Sequence, residues 1–527
     1  MSCSFTSTHL PTATQLAAVR ELSRLGSSEP TALQAIVAAI VLDLERYDTE
    51  IQNLPIQREI NRLISERITL LSYLGFCRSA LSPVHKLPNE LLVSIFAWCF
   101  PSQLYSILGK RTPEEEVDCV SHRYLRDLSR VCYRWYHIAM ETPQLWSTIV
   151  VDARLWNRSH ISVAALLLLL EASLRRGREH PLHLEVYAVA QHHHTIFELL
   201  SQYARRWKTA IIWGKDVDDG LRACAGNLGQ LEKLSLAGKW KDVETFQTAP
   251  RLRELTYRGA VDKLPKMPWK QIQRCAYIDH FAGDVSLSSR LSFFRVLPNL
   301  ADAKFALDLK DSSIDEPLDI TITSDVRHIQ FDLATTTTSS ATACRFFDSL
   351  TFPSLKSFSL YPPRFRNPPV WSSPHFLRLA ARSAFEKHLV RLVIHAVITD
   401  TELLRCLEVL PKLKFLSVTD CTSSSEASQP VITDTFLQKL TYVSGTGTPS
   451  MIVPHLESLT LKTVLDFADA SYVDLIDSRA GKDDRDTFTA NLWWVERRRR
   501  EVSVDALDKI VQLTREGGLL FKAGERN

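Results

Sequence analysis

At 527 residues the chain is too long for one ordinary compact core, which points to two or more domains or a repeat array. Hydrophobic residues make up 45% and charged residues 23%, with a net charge of +3, so neither a nucleic-acid-binding footprint nor a polybasic membrane attachment is present, and the expected partners are proteins. Apolar runs reach only eight residues, as in 163–170, which is too short to span a hydrocarbon layer, and the ten cysteines are scattered without a C-x-x-C. Free thiols in a reducing compartment, cytoplasmic and/or nuclear, are the expectation, since Met1 to Leu10 is polar without a basic start.

In chain order, Leu33, Val37, Ile40, Leu44, Tyr47, Ile51 and Leu54 alternate at four and three, the seam of a coiled coil or helical hairpin. Pro55 interrupts it. Ile56, Ile60, Ile64, Ile68, Leu71 and Leu74 then continue at helical spacing to Ser82-Pro83. Two antiparallel helices or one kinked helix fit this pattern. Its role is homodimerisation, packing on a partner, or closure of a hairpin on its own chain. This N-terminal segment is assigned to 1–82.

Next, Leu87-Pro88-Asn89-Glu90-Leu91-Leu92-Val93-Ser94-Ile95-Phe96 places Leu91, Leu92, Ile95 and Phe96 in an apolar stripe behind a helix-starting proline. About forty residues on, Leu128, Val131, Cys132 and Trp135 repeat that spacing. At Thr142-Pro143-Gln144-Leu145-Trp146 the proline stops the helix, and Leu145 and Trp146 can fold back as a lid. Between the halves, Ser102 to Val120 reads as an inserted surface loop, and the whole module covers 83–152.

The ordered anchors Leu87-Pro88, Glu90, Ile95-Phe96, Ser129-Arg130-Val131-Cys132, Trp135, Ile138-Ala139, Thr142-Pro143 and Leu145-Trp146 resemble the F-box, and most closely its F-box-like variety. The helical lead with Ile64, Glu66, Arg67, Leu70, Leu81, Ser82 and Pro83 also resembles fungal F-box-like proteins. The resemblance implies a three-helix module that binds a Skp-type adaptor and, through it, a cullin scaffold. Carried over by position, the adaptor contacts are Leu87, Pro88, Leu91, Ile95, Phe96, Leu128, Val131, Cys132 and Trp135, with Phe96 and Trp135 as preferred anchors.

After Trp146, Ile161 to Arg176 reads as a helix ended by Gly177, with Pro181 opening a strand at Leu182 to Tyr187 that acts as an N-terminal cap. An apolar-x-x-apolar-x-apolar unit then recurs from Leu231, Leu252, Leu355, Leu389, Leu413 and Leu456, with weaker copies from Leu182, Trp207, Ile272, Leu300 and Val326. Successive starts lie mostly 20 to 34 residues apart, and this resembles the leucine-rich repeat, in which each strand turns its last two apolar residues inward and only the stack is stable. Breaks at Thr335 to Thr342, Tyr361 to Pro374 and Cys421 to Pro430 read as loops. The repeat region is assigned to 153–480. In 481–527, Val504, Leu507, Ile510, Val511 and Leu513 on one helical face, followed by Gly517-Gly518 and Leu519-Leu520-Phe521, suit a C-terminal cap.

The search for chemistry yields no catalytic residue, cofactor site or metal site. His192-His193-His194 has no paired cysteine or H-E-x-x-H beside it, Asp216 to Gly220 lacks the ligand alternation of a calcium loop, and no phosphate-binding or serine-elbow motif occurs. Arg497 to Arg500, between glutamates, reads as a solvated helix face, and Asn157-Arg158-Ser159 as an idle glycosylation acceptor.

The expected fold is therefore an α+β, α/β repeat protein: a helical hairpin and a three-helix F-box followed by an irregular leucine-rich-repeat solenoid. The expected function is substrate recognition in an SCF-type ubiquitin ligase, with a target protein on the repeats. The alternative is a repeat scaffold that binds proteins without a ubiquitin role; an enzyme is disfavoured by the empty motif search.

Overall fold

The computed structural model describes residues 12, 14–15, 30–53, 57–99, 123–158, 162–188, 192–214, 217–238, 240, 244–259, 264–278, 287–309, 321–335, 340–363, 368–421, 430–442, 452–480, 487–494 and 502–525. The inserted loop 102–120 and the arginine run 497–500 lie outside them, as do Ser159, Asp216 and most of 421–430. The chain divides into two compact units, Met1–Glu185 and Val186–Asn527.

In the first unit α1 (Pro30–Asn53) and α2 (Gln57–Ala80) form an antiparallel hairpin. Its core takes Ile40, Leu44 and Tyr47 from the four-and-three seam of α1, packed against Leu63, Leu70, Tyr73, Leu74 and Cys77 of α2. The seam of α2 departs from the one expected: Ile64, Ile68 and Leu71 face outward, because α2 carries two interleaved apolar stripes and the one through Leu63 and Leu70 meets α1. Polar pairs fix the hairpin's register, with the Tyr47 hydroxyl donating to Glu66 at 2.5 Å and Arg67 reaching Asp48 at 2.6 Å.

The three-helix module continues the chain as α3 (Asn89–Cys99), α4 (Arg123–Ser129) and α5 (Tyr133–Glu141). Pro143 opens a single 3-10 turn to Trp146 that leads into β1 (Thr148–Asp152). As expected of a lid, Leu145 and Trp146 fold back into the core with Leu92, Phe96, Leu125, Ile138 and Ala139, and the Trp146 indole donates to the Ala139 carbonyl at 2.7 Å. The helix α6 (Val163–Arg176) is capped by the Ser162 hydroxyl and ends at Gly177. It lays Arg176 over the Trp146 ring at 4.7 Å, so the lid is held on its outer side as well. β2 (Leu182–Tyr187) completes this part of the chain.

The second unit is a strand ladder in strict chain order. After α7 (His193–Ser201) come β3 (Trp207–Trp213), β4 (Lys233–Ala237), β5 (Glu254–Arg258), β6 (Arg274–Ile278), α8 (Leu287–Val296) and β7 (Asp302–Leu309). They are succeeded by β8 (Ile322–Thr323), β9 (His328–Thr335), α9 (Ser340–Asp348), β10 (Leu350–Thr351), β11 (Ser357–Tyr361), α10 (Ser373–Arg382), β12 (Arg391–Ile394), α11 (Asp400–Glu408) and β13 (Phe415–Thr419). The last elements are α12 (Asp434–Leu440), β14 (Ser458–Thr463), α13 (Asp469–Arg479), β15 (Phe488–Trp494), α14 (Val504–Arg515) and β16 (Leu519–Glu525). The strands β3 to β7, β9 and β11 to β16 pair side by side and all in parallel, while β8 and β10 form a small pair of their own. Consecutive parallel strands with helices or turns between them are the architecture of a leucine-rich-repeat-like solenoid.

Every repeat start read from the sequence opens at or two residues before one of these strands. The register explains why: one inward row runs Leu234, Leu255, Cys275, Ala303, Ile329, Phe358, Leu392, Leu416, Leu459, and a second runs Leu236, Tyr257, Tyr277, Phe305, Phe331, Leu360, Ile394, Val418, Leu461. All of these are buried. Aromatic rings thicken the middle of the stack, where Phe305, Phe331 and Phe358 succeed one another at 6.0 Å and Phe346 of α9 meets Phe331 at 5.5 Å.

Where an asparagine ladder is lacking, other polar groups join the repeats. The first aspartate of each late helix accepts from the cap of the next: Asp400 from the Thr433 hydroxyl at 2.8 Å, Asp434 from the Ala468 amide at 2.9 Å, Asp469 from the Ser503 amide at 2.9 Å. Buried Asp420 accepts from the amides of Val431, Ile432 and Val464, so the ends of a long connection are pinned to the sheet. Close backbone approach also demands glycine at one strand exit, since a Cβ on Gly238 would fall 1.8 Å from the Gly214 carbonyl oxygen.

His395, just after β12, gives this unit a pH dependence. Burial, with the Lys462 ammonium adding to it, lowers its imidazole from the ordinary 6.5 to about 4. In the unfolded chain His395 takes up a proton below about 6.5, whereas the fold resists protonation down to about 4, so stability present above that window is lost as pH falls through it. The thermal midpoint of the full chain is expected to drop between these values, and His395→Gln to flatten the drop. An identical pH profile for the variant removes the assignment.

Candidate docking surface

The three-helix module carries apolar residues on two sides of α3. One side, Leu92 and Phe96, is buried in the module's own core, where Phe96 meets the Trp135 ring at 4.8 Å. The other side is a stripe at positions i, i+4 and i+7, with Leu91 51% exposed, Ile95 43% and Trp98 86%. From the α4–α5 corner Val131, Tyr133 and Tyr136 also stand out, and the His137 ring meets Tyr133 at 4.1 Å and Tyr136 at 5.8 Å.

Both ridges are positioned by one arginine. Arg134, in the first turn of α5, donates through Nε and Nη2 to the Asn89 side chain at 3.0 and 2.8 Å and through Nη2 to the Leu87 carbonyl at 2.5 Å. The start of α5 is thereby tied to the Leu87-Pro88 lead-in of α3, whose first helical bond runs from the Leu92 amide to the Pro88 carbonyl. A large tryptophan left in water beside Leu91 and Ile95 costs solvation free energy of about 25 cal/mol per Å² of apolar surface, which covering by a partner would recover.

Of the nine residues carried over as adaptor contacts, Pro88, Leu91, Ile95 and Val131 are exposed, and Leu87, Leu128, Cys132 and Trp135 are half-buried. Phe96 is fully enclosed and serves the internal core. Cys132 caps α5 through its carbonyl, which accepts from the Tyr136 amide at 2.9 Å. Three further exposed aromatic residues stand beside these nine: Trp98, Tyr133 and Tyr136. The signal for Trp98 was its place three residues after Ile95, on the same stripe.

The second unit offers a polar groove of about 380 Å³ across the outward rows of β5, β6, β7, β9 and β11. Its charges alternate along the register Glu254, Arg274, Asp302, with the His328 ring next in the row, and Glu254 is matched by its neighbours. Lys233 reaches Glu254 at 2.9 Å, Arg274 pairs with the same carboxylate, and Lys304 reaches Asp332 at 3.1 Å.

The F-box-like family model matches residues 84–152, the span of this module. No curated protein matches the chain. Among solved structures, that of a TLR13-ssRNA13 complex superposes with a TM-score of 0.33 at 13% identity over 66% of this chain, which spans 46% of the length of that one.

Proposed function

We propose that this chain is the substrate-recognition subunit of an SCF-type cullin-RING ubiquitin ligase. The observation that supports the reading is the exposed stripe Leu91, Ile95 and Trp98 on the helix of an F-box-like segment whose described core is formed from the other side of that helix. A second apolar ridge, apart from the one that packs in the module's core, fits a module built to receive a foreign subunit, a Skp-type adaptor, and through it a cullin scaffold.

The repeat unit has the complementary task of holding a target protein on the outward face of its strands. Joining both sites in one polypeptide raises the effective concentration of target near the ubiquitin carrier, so the chain contributes without catalysing. Co-purification with a Skp-type adaptor tests the reading. Wild type is expected to retain it, and Leu87→Ala with Pro88→Ala to weaken retention at least tenfold with an unchanged circular dichroism spectrum. A wild-type chain that fails to retain the adaptor is a repeat scaffold outside the ubiquitin system.

A further inference from the structure

Arg258 ends β5 on the outward face, in register with Ala237 of β4 and, beyond it, Trp213 of β3. The small Ala237 lets the guanidinium lie over the Trp213 ring, 4.8 Å from its centroid, and Tyr187 flanks that ring at 5.8 Å. Although only 7% exposed, Arg258 meets no acceptor among the described residues at Nε or at Nη2. Those two nitrogens form the edge that other arginines of this protein spend on carboxylates. Arg154 holds Asp152 through Nε and Nη2 at 2.8 and 2.6 Å, and Arg378 holds Asp348 the same way at 3.1 and 2.9 Å.

A buried cation whose bidentate edge is unmatched is costly, and a carboxylate or phosphate seated on that edge would offset the cost. We infer that Arg258, with Trp213 and Tyr187 beside it, is an anchor for a single oxyanion, a carboxylate or phosphate group carried by a protein segment lying on the strand face. Glu254 and Thr256, four and two residues back along the same strand, line the groove already described, whose lining ends before Arg258. Burial also lowers the guanidinium to about 10, the direction expected of a charge that lacks its counter-ion. The identity of the ligand as a protein segment rests on the proposed target-binding role. The anion site itself does not.

The test uses the full chain in chloride buffer with inorganic phosphate or acetate added at matched ionic strength, read as the thermal midpoint. Wild type is expected to gain stability with one or both anions. A response to phosphate alone assigns a phosphorylated segment, and one to acetate an acidic side chain. Arg258→Met, which removes the unmatched charge, is expected to raise the midpoint without anion and abolish the response, and Arg258→Lys, which keeps the charge but loses the fork, to weaken anion affinity about tenfold. Equal anion response in wild type and both variants, or none in wild type, overturns the inference. Because the readout needs no adaptor, loss of the ligase reading leaves this result standing, and the reverse holds.

Discussion

Glutamate at both Ile95 and Trp98 is expected to abolish retention of a Skp-type adaptor, a loss of at least a hundredfold, with the thermal midpoint of the chain nearly unchanged. Both side chains are on the outer stripe of α3 and neither belongs to the cluster around Leu92, so the substitutions add charge to a surface already in water. On binding, however, each carboxylate would be desolvated against an apolar partner, and a truncated tryptophan anchor alone costs about 2–4 kcal/mol, which is thirtyfold to a thousandfold. Phe96→Ala supplies the contrast. One residue along the same helix, it empties the contact with Trp135 and should lower stability by about 3–5 kcal/mol, losing the adaptor only because the module loosens. Pull-down and thermal melt on both variants separate the cases: binding lost with folding intact for the outer pair, both lost together for Phe96. Retention by the Ile95/Trp98 variant at wild-type level sinks the docking surface.

That contrast also marks how far side-chain pattern reaches. Leu91, Leu92, Ile95 and Phe96 are all apolar at helical spacing, and spacing alone places them on a helix without saying which pair meets the core. The decision falls to α5, which arrives through Trp135 on the Phe96 side. The same ambiguity misled the reading of α2, where Ile64, Ile68 and Leu71 make as good a helical stripe as Leu63, Leu70 and Leu74, yet only the latter meets α1. Strands were legible because a period of two puts Leu234 and Leu236 in the inward rows, and a one-residue slip would carry Ser235 into those rows in their place. Even the weak copies at Ile272, Leu300 and Val326 lead into β6, β7 and β9. The polar clamps were not legible: Asp420 and the aspartates opening α11, α12 and α13 act on residues 11 to 44 positions away, a separation that no local pattern encodes.

Phe331→Ala is expected to be the most disruptive single truncation in the repeat unit, at about 3–5 kcal/mol. Its ring is fully buried and meets Phe305 and Phe358 in the strands on either side as well as Phe346 and Phe347 of α9, so one cavity weakens three strands and the helix covering them. In a stack where each unit is held by its neighbours, the loss should spread locally and not globally. Hydrogen exchange read strand by strand is therefore the right measurement, with protection falling most on β7, β9 and β11 and least on β14 to β16. Phe331→Leu keeps most of the volume and should cost less than about 1.5 kcal/mol, which separates the cavity from loss of the ring itself. Uniform loss of protection from β3 to β16 would mean that the ladder melts as one cooperative block, and the nearest-neighbour account of its stability would have to be given up.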